Sequence, residues 1–395
     1  MKKMDGCRLF GAFQLLGGIR DASVLFHSVV GCNFGTLSCH VSKDQSDIRQ
    51  CSTVISDDEV IFGGTEALEK AIRLLNERGK PAAIFVISGC VSEMIGDDIR
   101  SVVAKPLADC PVLHVAAPGF DGGSRDGYEE AAKSLLGLME EPKERKNGRF
   151  RVNVLGPGMD DWQITAEKEA FRELLGPEVE LGFFAGECTL EDVREAAQAD
   201  LNLVFGRGRM LAKAMREKWG IPFEELDYPY GLTGADRLWK ALERHLPVHY
   251  EQAFADMQRR TAKELEKVYC YLQAFYGRTA AIIGEKSRAA GMAEFLRQEL
   301  GMEIEACIFR EKDLDLENAF DQVRRTEPAV LFGSTYELEL AEELGIPLIR
   351  FDYPVFDAVS LTRRPYIGEQ GVLCLVEDLI HGVLRARYRK GALCQ

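Results

Sequence analysis

Cys7, Cys32 and Cys90 stand in the runs Cys7-Arg8-Leu9-Phe10-Gly11-Ala12, Val30-Gly31-Cys32-Asn33-Phe34 and Ser88-Gly89-Cys90-Val91. Each is expected where a strand gives way to a glycine-bearing loop, where the backbone can turn tightly and aim a side chain into the crevice above a sheet. Thiolates are the usual ligands of iron–sulfur clusters, and a cluster normally takes four, so three from one chain leave a ligand for a partner to supply. The three cysteines therefore read as one half of a metal site. His27 precedes the Cys32 loop and reads either as a proton donor or hydrogen-bond partner tuning such a cluster, or as a histidine satisfied by its surroundings. Asp97 and Asp98, just beyond Cys90, are expected to cap a helix. Arg207 and Arg209 are expected on a solvated loop, with the grip of an anionic ligand as the alternative.

The remaining cysteines, Cys39, Cys51, Cys110, Cys188, Cys270, Cys307, Cys374 and Cys394, are read as packing residues, with Cys39 and Cys51 nearest the site. Eleven cysteines in a chain without an export signal point to reduced thiols and metal ligands rather than a disulfide framework. The first residues lack a secretory apolar run, and no window offers the ~20 continuous apolar residues a membrane helix needs, so a cytoplasmic location without membrane contact is expected. A formal charge of -14 argues against nucleic acid as a partner, because phosphate contact needs a basic surface. An acidic face can instead steer a basic protein partner.

The elements that must position these residues follow a repeated pattern. Short β-rich runs alternate with amphipathic helical stretches, which predicts an α/β fold of parallel sheets joined by crossover helices. Strands are expected at 22–27, 82–87 and 112–115, with a helix over 66–78, and a polar linker at 140–147. A second group of strands covers 151–156, 179–184, 201–205 and 222–228. A helix or helix pair spans 238–275, broken near Pro247. A third group covers 279–284, 304–309, 329–333 and 347–351, with helices at 289–300 and 336–344 and a terminal helix at 371–387. Three Rossmann-like domains are therefore expected: residues 1–147 with the cluster site, 148–245, and 246–395 with the linking and terminal helices. Gly156, Gly284 and Gly333 each close a strand, but no full dinucleotide fingerprint or phosphate loop is present, so no nucleotide site is expected in this chain.

At this point the residues carry a family resemblance. Gly18-Ile19-Arg20-Asp21-Ala22 followed by Phe26-His27-Ser28-Val29-Val30-Gly31-Cys32 resembles the amino-terminal cluster-binding segment of nitrogenase component 1 proteins. Asp58-Glu59-Val60-Ile61-Phe62-Gly63-Gly64 and Gly89-Cys90-Val91-Ser92-Glu93-Met94-Ile95-Gly96-Asp97-Asp98 are similar to the segments that follow in that family. His114 to Phe120, Gly220-Ile221-Pro222, Tyr230 to Asp236 and Gly345 to Asp357 also fall in family order.

The resemblance implies that Cys7, Cys32 and Cys90 ligate a cluster of four or eight irons at a subunit interface, the other half coming from a homologous or identical subunit. It implies electron delivery by a separate ATP-dependent iron–sulfur reductase. The active cofactor of catalytic subunits hangs from a second-domain cysteine and a carboxyl-terminal histidine. Here the matching strand reads Leu203-Val204-Phe205-Gly206-Arg207, and 356–371 holds no histidine. The chain thus looks like the β-type partner or a subunit acting on a different substrate, with a scaffold for assembly and transfer of a complex metal cofactor as the alternative. The serine that can add a ligand to the larger cluster is not matched: Gly123 stands in its place and Ser124 lies one residue off.

Overall fold

Strands buried on both faces need no polar alternation, and Ser23-Val24-Leu25-Phe26-His27 and Ile84-Phe85-Val86-Ile87-Ser88 are buried at every position. A computed structural model of the chain describes residues 6–40, 50–143, 148–310 and 314–389. It contains three four-stranded sheets flanked by helices. The first holds β1 (Ser23–His27), β2 (Gln50–Ser52), β3 (Ile84–Ser88) and β4 (Val112–Ala116), all parallel, in the order β2-β1-β3-β4. Around it lie α1 (Arg8–Leu16), α2 (Val30–His40), α3 (Asp57–Phe62), α4 (Thr65–Gly79), α5 (Cys90–Ile95), α6 (Ile99–Val103) and α7 (Ser124–Ser134).

The second sheet, β5 (Phe150–Leu155), β6 (Val179–Phe184), β7 (Leu201–Val204) and β8 (Phe223–Glu225), runs β6-β5-β7-β8. Between these strands come α8 (Ile164–Leu175), α9 (Leu190–Arg194) and α10 (Arg209–Trp219). The linking helices are α11 (Gly231–His245), α12 (Glu251–Leu265) and the short α13 (Tyr269–Leu272). The third sheet, β9 (Thr279–Gly284), β10 (Glu303–Phe309), β11 (Val330–Gly333) and β12 (Leu348–Arg350), runs β10-β9-β11-β12 beside α14 (Lys286–Gln298), α15 (Leu316–Thr326) and α16 (Leu338–Leu344). The terminal helix is α17 (Gly368–Arg389), and no described helix is long and apolar enough to cross a membrane.

All three sheets share one topology. The chain leaves the first strand for one side and returns to build the other, so each sheet has a switch point between the carboxyl ends of its two central strands, where crevices form. The chain divides into two compact units, residues 1–160 with 182–223, and residues 161–181 with 224–395.

In the first unit, Leu25, Ile84 and Val86 pack on Leu68 and Ile72 of α4 and on Ile99 and Val102 of α6. The opposite face carries the closest helix contact. A β-carbon on Gly11 of α1 would come within 1.6 Å of the Ser124 carbonyl oxygen, and one on Gly127 of α7 within 1.8 Å of the Arg8 carbonyl oxygen. Only glycine lets the two backbones approach this closely. The strand β2 escaped the sequence reading, being three residues long with two polar side chains; β8, equally short, occupies only the start of the expected 222–228 run.

The second unit holds a buried polar network. Arg288 of α14 donates to Asp161 at 2.8 Å and to the Tyr230 hydroxyl at 3.2 Å, and its guanidinium lies 3.9 Å from the Tyr228 ring centre. The Tyr228 hydroxyl donates to Glu167, and Asp352 accepts from the Glu285 amide at 2.6 Å. Burial pushes the Glu167 carboxyl up to about 7, with Arg288 and the Tyr228 hydroxyl pulling it back.

Two expectations follow. Gly127→Ala should lower the unfolding free energy by about 3 kcal/mol through overpacking, read as a lower urea midpoint, whereas Gly137→Ala, whose β-carbon meets nothing within 4 Å, should be near neutral. Because the native Glu167 holds its proton to a higher pH than the unfolded chain does, the Glu167 contribution to stability should be fullest below about pH 4.5, fall as pH rises toward about 7, and level off beyond it, by on the order of 3 kcal/mol. Urea unfolding at pH 5 and 7.5 checks this, and Glu167→Gln should remove that part of the slope.

Candidate metal centre

The carboxyl ends of β1 and β3 meet in register at His27 and Ser88, and the chain turns from there into α2 and α5. Cys32 is the third residue of α2 and Cys90 the first of α5. Both therefore follow the switch point of the first sheet, as expected. Cys7 differs: it follows no described strand but is the N-cap of α1 and pairs as an isolated antiparallel bridge with Gly123, the N-cap of α7. The tight α1–α7 contact delivers it to the site.

A β-carbon on Gly119 would lie 3.2 Å from Cys7 Cβ and 3.5 Å from Cys90 Sγ. The Gly119 amide donates to Cys90 Sγ at 3.1 Å. Burial raises the Cys7 thiol above its ordinary pKa, the Phe10 and Leu9 amides in the first turn of α1 pull it down, and the nearby Cys32 and Cys90 thiols push it up again. The three thiols are thus electrostatic neighbours. Among the described residues no three His, Cys, Asp or Glu side chains converge as tightly as a single ion requires. A cluster spreads its ligands over several irons, so neighbouring half-buried thiols, with an amide already aimed at one sulfur, suit a cluster rather than one ion.

Two histidines flank the site. His27 is fully buried, with Nε2 2.9 Å from Asp97 Oδ2 and Nδ1 3.1 Å from Thr53 Oγ1. Burial lowers its pKa and Asp97 opposes this; in the neutral ring Nε2 donates to Asp97 and Nδ1 accepts from Thr53. His114 of β4 donates from Nε2 to Ser88 Oγ at 2.7 Å, and Ser88 in turn donates to Glu93 of α5. Burial lowers the His114 pKa, with Glu93 opposing. Asp98 caps α6 through the Ser101 amide, as its position predicts, while Asp97 instead holds His27 and the Gly64 amide at 2.8 Å.

The elements bearing the thiols also expose large apolar side chains. These are Val30 and Phe34 of α2, Met94 of α5, 75% exposed, and Phe120 beside Gly119. Ile61 and Phe62 join them from α3, which packs on α5, and Phe62 is 84% exposed. Such a cluster of exposed apolar groups marks a surface that another molecule covers.

The second switch point is filled. Arg207, expected in solvent, turns inward: it donates to the Gly156 carbonyl at 3.0 Å and to Gln14 at 2.7 Å, and stacks on Tyr128 at 4.5 Å. The Glu129 carboxylate accepts from the amides of Gly208, Arg209 and Met210 at the start of α10. Arg209 itself is exposed. Among the other cysteines, Cys51 and Cys110 pack against the first sheet's core and Cys188 and Cys374 are buried, while Cys307 is half-buried. Cys270 overturns the packing reading, because α13 carries it on the surface. The Cys39 side chain and Cys394 lie outside the described residues.

The chain matches the family described as nitrogenase component 1 type oxidoreductase over residues 7–384. It belongs to that family. This component 1-type chain is 24% identical over 436 residues to a nitrogenase molybdenum-iron protein beta chain of Methanococcus maripaludis, covering 97% of this chain and 94% of the relative. It is 30% identical over 409 residues to the nitrogenase iron-molybdenum cofactor biosynthesis protein NifE of Rippkaea orientalis, covering 96% and 84%. A solved structure described as nitrogenase Cp1 at pH 6.5 has the same fold, with a TM-score of 0.82 at 19% identity over 98% of this chain and 93% of that one.

Thiol chemistry checks the burial pattern. With iodoacetamide at pH 8, the iron-free protein should alkylate at exposed Cys270 about tenfold faster than at Cys7, whose thiolate is scarce. Peptide mass spectrometry against time gives both rates.

Proposed function

We propose that the chain is a subunit of a nitrogenase-like iron–sulfur oxidoreductase, accepting electrons from an ATP-dependent reductase and relaying them to a reducible substrate or cofactor held elsewhere in the complex. The observation that carries this is that Cys7 and Cys90, from separate elements, lie beside Gly119, whose amide donates to Cys90, with Cys32 near enough to raise the Cys7 thiol. An iron–sulfur cluster, of four or eight irons, would supply reversible single-electron transfer when bound.

Each residue has a task toward it. The three cysteines would hold it as thiolates, and the Gly119 amide, donating to Cys90 Sγ, would offset negative charge on that sulfur and so raise the potential. A side chain at Gly119 would crowd Cys7, its β-carbon lying 3.2 Å from Cys7 Cβ, and reach van der Waals contact with Cys90 Sγ. The exposed Val30, Phe34, Met94 and Phe120 would be covered by a homologous or identical subunit that completes the ligand set and keeps water from the thiolates. The reductase would bring its own nucleotide site, because this chain lacks a phosphate loop.

The β-type reading is supported where the catalytic relatives' cofactor would need a cysteine. Gly206 follows β7 in place of a cysteine, and the next residue, Arg207, donates to the Gly156 carbonyl and Gln14. A second reading is favoured by the 30% identity to NifE: a scaffold that carries a maturing metal cofactor and hands it on. A scaffold releases its cargo to an acceptor protein, whereas the oxidoreductase keeps its metal and turns over.

Anaerobically purified protein should contain about four irons per chain, or about two if a symmetric dimer shares one cluster, and give a dithionite-sensitive paramagnetic signal. Cys32→Ala should fold, by circular dichroism, yet lose the absorbance near ~400 nm. Full absorbance in that variant would defeat the assignment.

A further inference from the structure

The helix α3 has no buried residue, yet it displays Val60, Ile61 and Phe62 to solvent. A six-residue helix does not persist in water by itself, since nucleation costs more than so few hydrogen bonds return. It is held at its ends. At the start, the Ser56 amide and hydroxyl both donate to the Glu59 carboxylate. At the end, Gly63 turns in the left-handed region, φ 93°, and the Gly64 amide donates to Asp97 Oδ1 at 2.8 Å.

The second carboxylate oxygen of Asp97 faces His27 Nε2 at 2.9 Å, and both side chains are buried. Gly64 is wedged against the pair: a β-carbon there would fall 2.8 Å from Asp97 Oδ2 and 2.9 Å from His27 Cε1. On its other side, His27 grips the turn that carries Cys90. Its carbonyl accepts from the Gly89 amide at 3.2 Å and from the Ser92 hydroxyl at 2.7 Å, while the Asp97 amide donates to the Ser92 carbonyl at 3.2 Å. Thr53, at the end of β2, closes the ring of contacts on Nδ1.

We infer that Asp97 and His27 are positioning residues that lock the exposed apolar helix α3 to the Cys90 turn, so that the partner-facing surface and the Cys90 thiolate belong to one rigid piece. Distance and orientation between a docked protein and the metal site would then be set by this buried pair and not by the loop alone. The value of that rigidity rests on the proposed function; the linkage itself does not.

The linkage is tested by hydrogen–deuterium exchange on the iron-free full chain. Asp97→Ala should speed exchange about tenfold or more in both 57–64 and 89–97, because it orphans the Gly64 amide and the buried His27 ring. Ser56→Ala, which loosens the far end of α3, should speed 57–64 alone. Asp97→Asn keeps an acceptor for Gly64 and should restore much of the protection in both segments, a rescue that loss of general stability would not give. On reconstituted protein, the g-values of the reduced cluster should shift in Asp97→Ala and not in Ser56→Ala. Exchange confined to 57–64 in Asp97→Ala, or equal behaviour of the Ala and Asn variants, overturns the linkage. Should Asp97→Ala not fold, His27→Gln takes its place with the same two-segment expectation. A wild-type protein that takes up no iron defeats the proposed function, and the exchange pattern still decides the linkage.

Discussion

The contact on which the site depends is between two backbones. Gly11 of α1 and Gly127 of α7 let the helices press together backbone to backbone, and this places Cys7, at the head of α1, against Gly123 at the head of α7. Cys32 and Cys90 come to the same place by a different route, from adjacent parallel strands whose carboxyl ends open at a switch point. A sheet by itself would provide two thiols. The third needs a helix held at glycine distance on the sheet's flank.

The three sheets share a topology and diverge in what fills the crevice. At the first lie neighbouring half-buried thiols, and α2 and α5, which carry two of them, expose apolar side chains. At the second, Arg207, Gln14, Tyr128 and Glu129 satisfy one another and the start of α10. At the third, Arg310 donates to the buried Glu337 carboxylate, which also accepts from the Ser334 amide. Two crevices are thus closed by internal ion and hydrogen-bond pairs, and at the first His27 pairs with Asp97 and Ser88 with His114 and Glu93 beside the thiols.

Family membership covers nearly the whole chain and fixes the fold class rather than the role. Relatives that match nearly the whole chain include subunits and a cofactor biosynthesis protein, so the family alone does not separate relay from scaffold.

By itself the sequence determined the alternation of strands and helices, since burial on both faces writes each long strand as an apolar run; 179–184 and 279–284 were legible to the residue. It also determined that Cys32 and Cys90, though not Cys7, follow strand ends, and the helix break near Pro247 between α11 and α12. Only the tertiary structure decided what those residues meet. β2 is too short and polar to announce itself and exists because β1 offers a parallel edge. Arg207 reads as a solvated loop charge until Gln14, from a distant helix, supplies its partner. Asp97 and Asp98 are indistinguishable as neighbours in the chain, yet one caps a local helix and the other clamps His27 and Gly64, because long-range partners are fixed by packing and leave no local pattern.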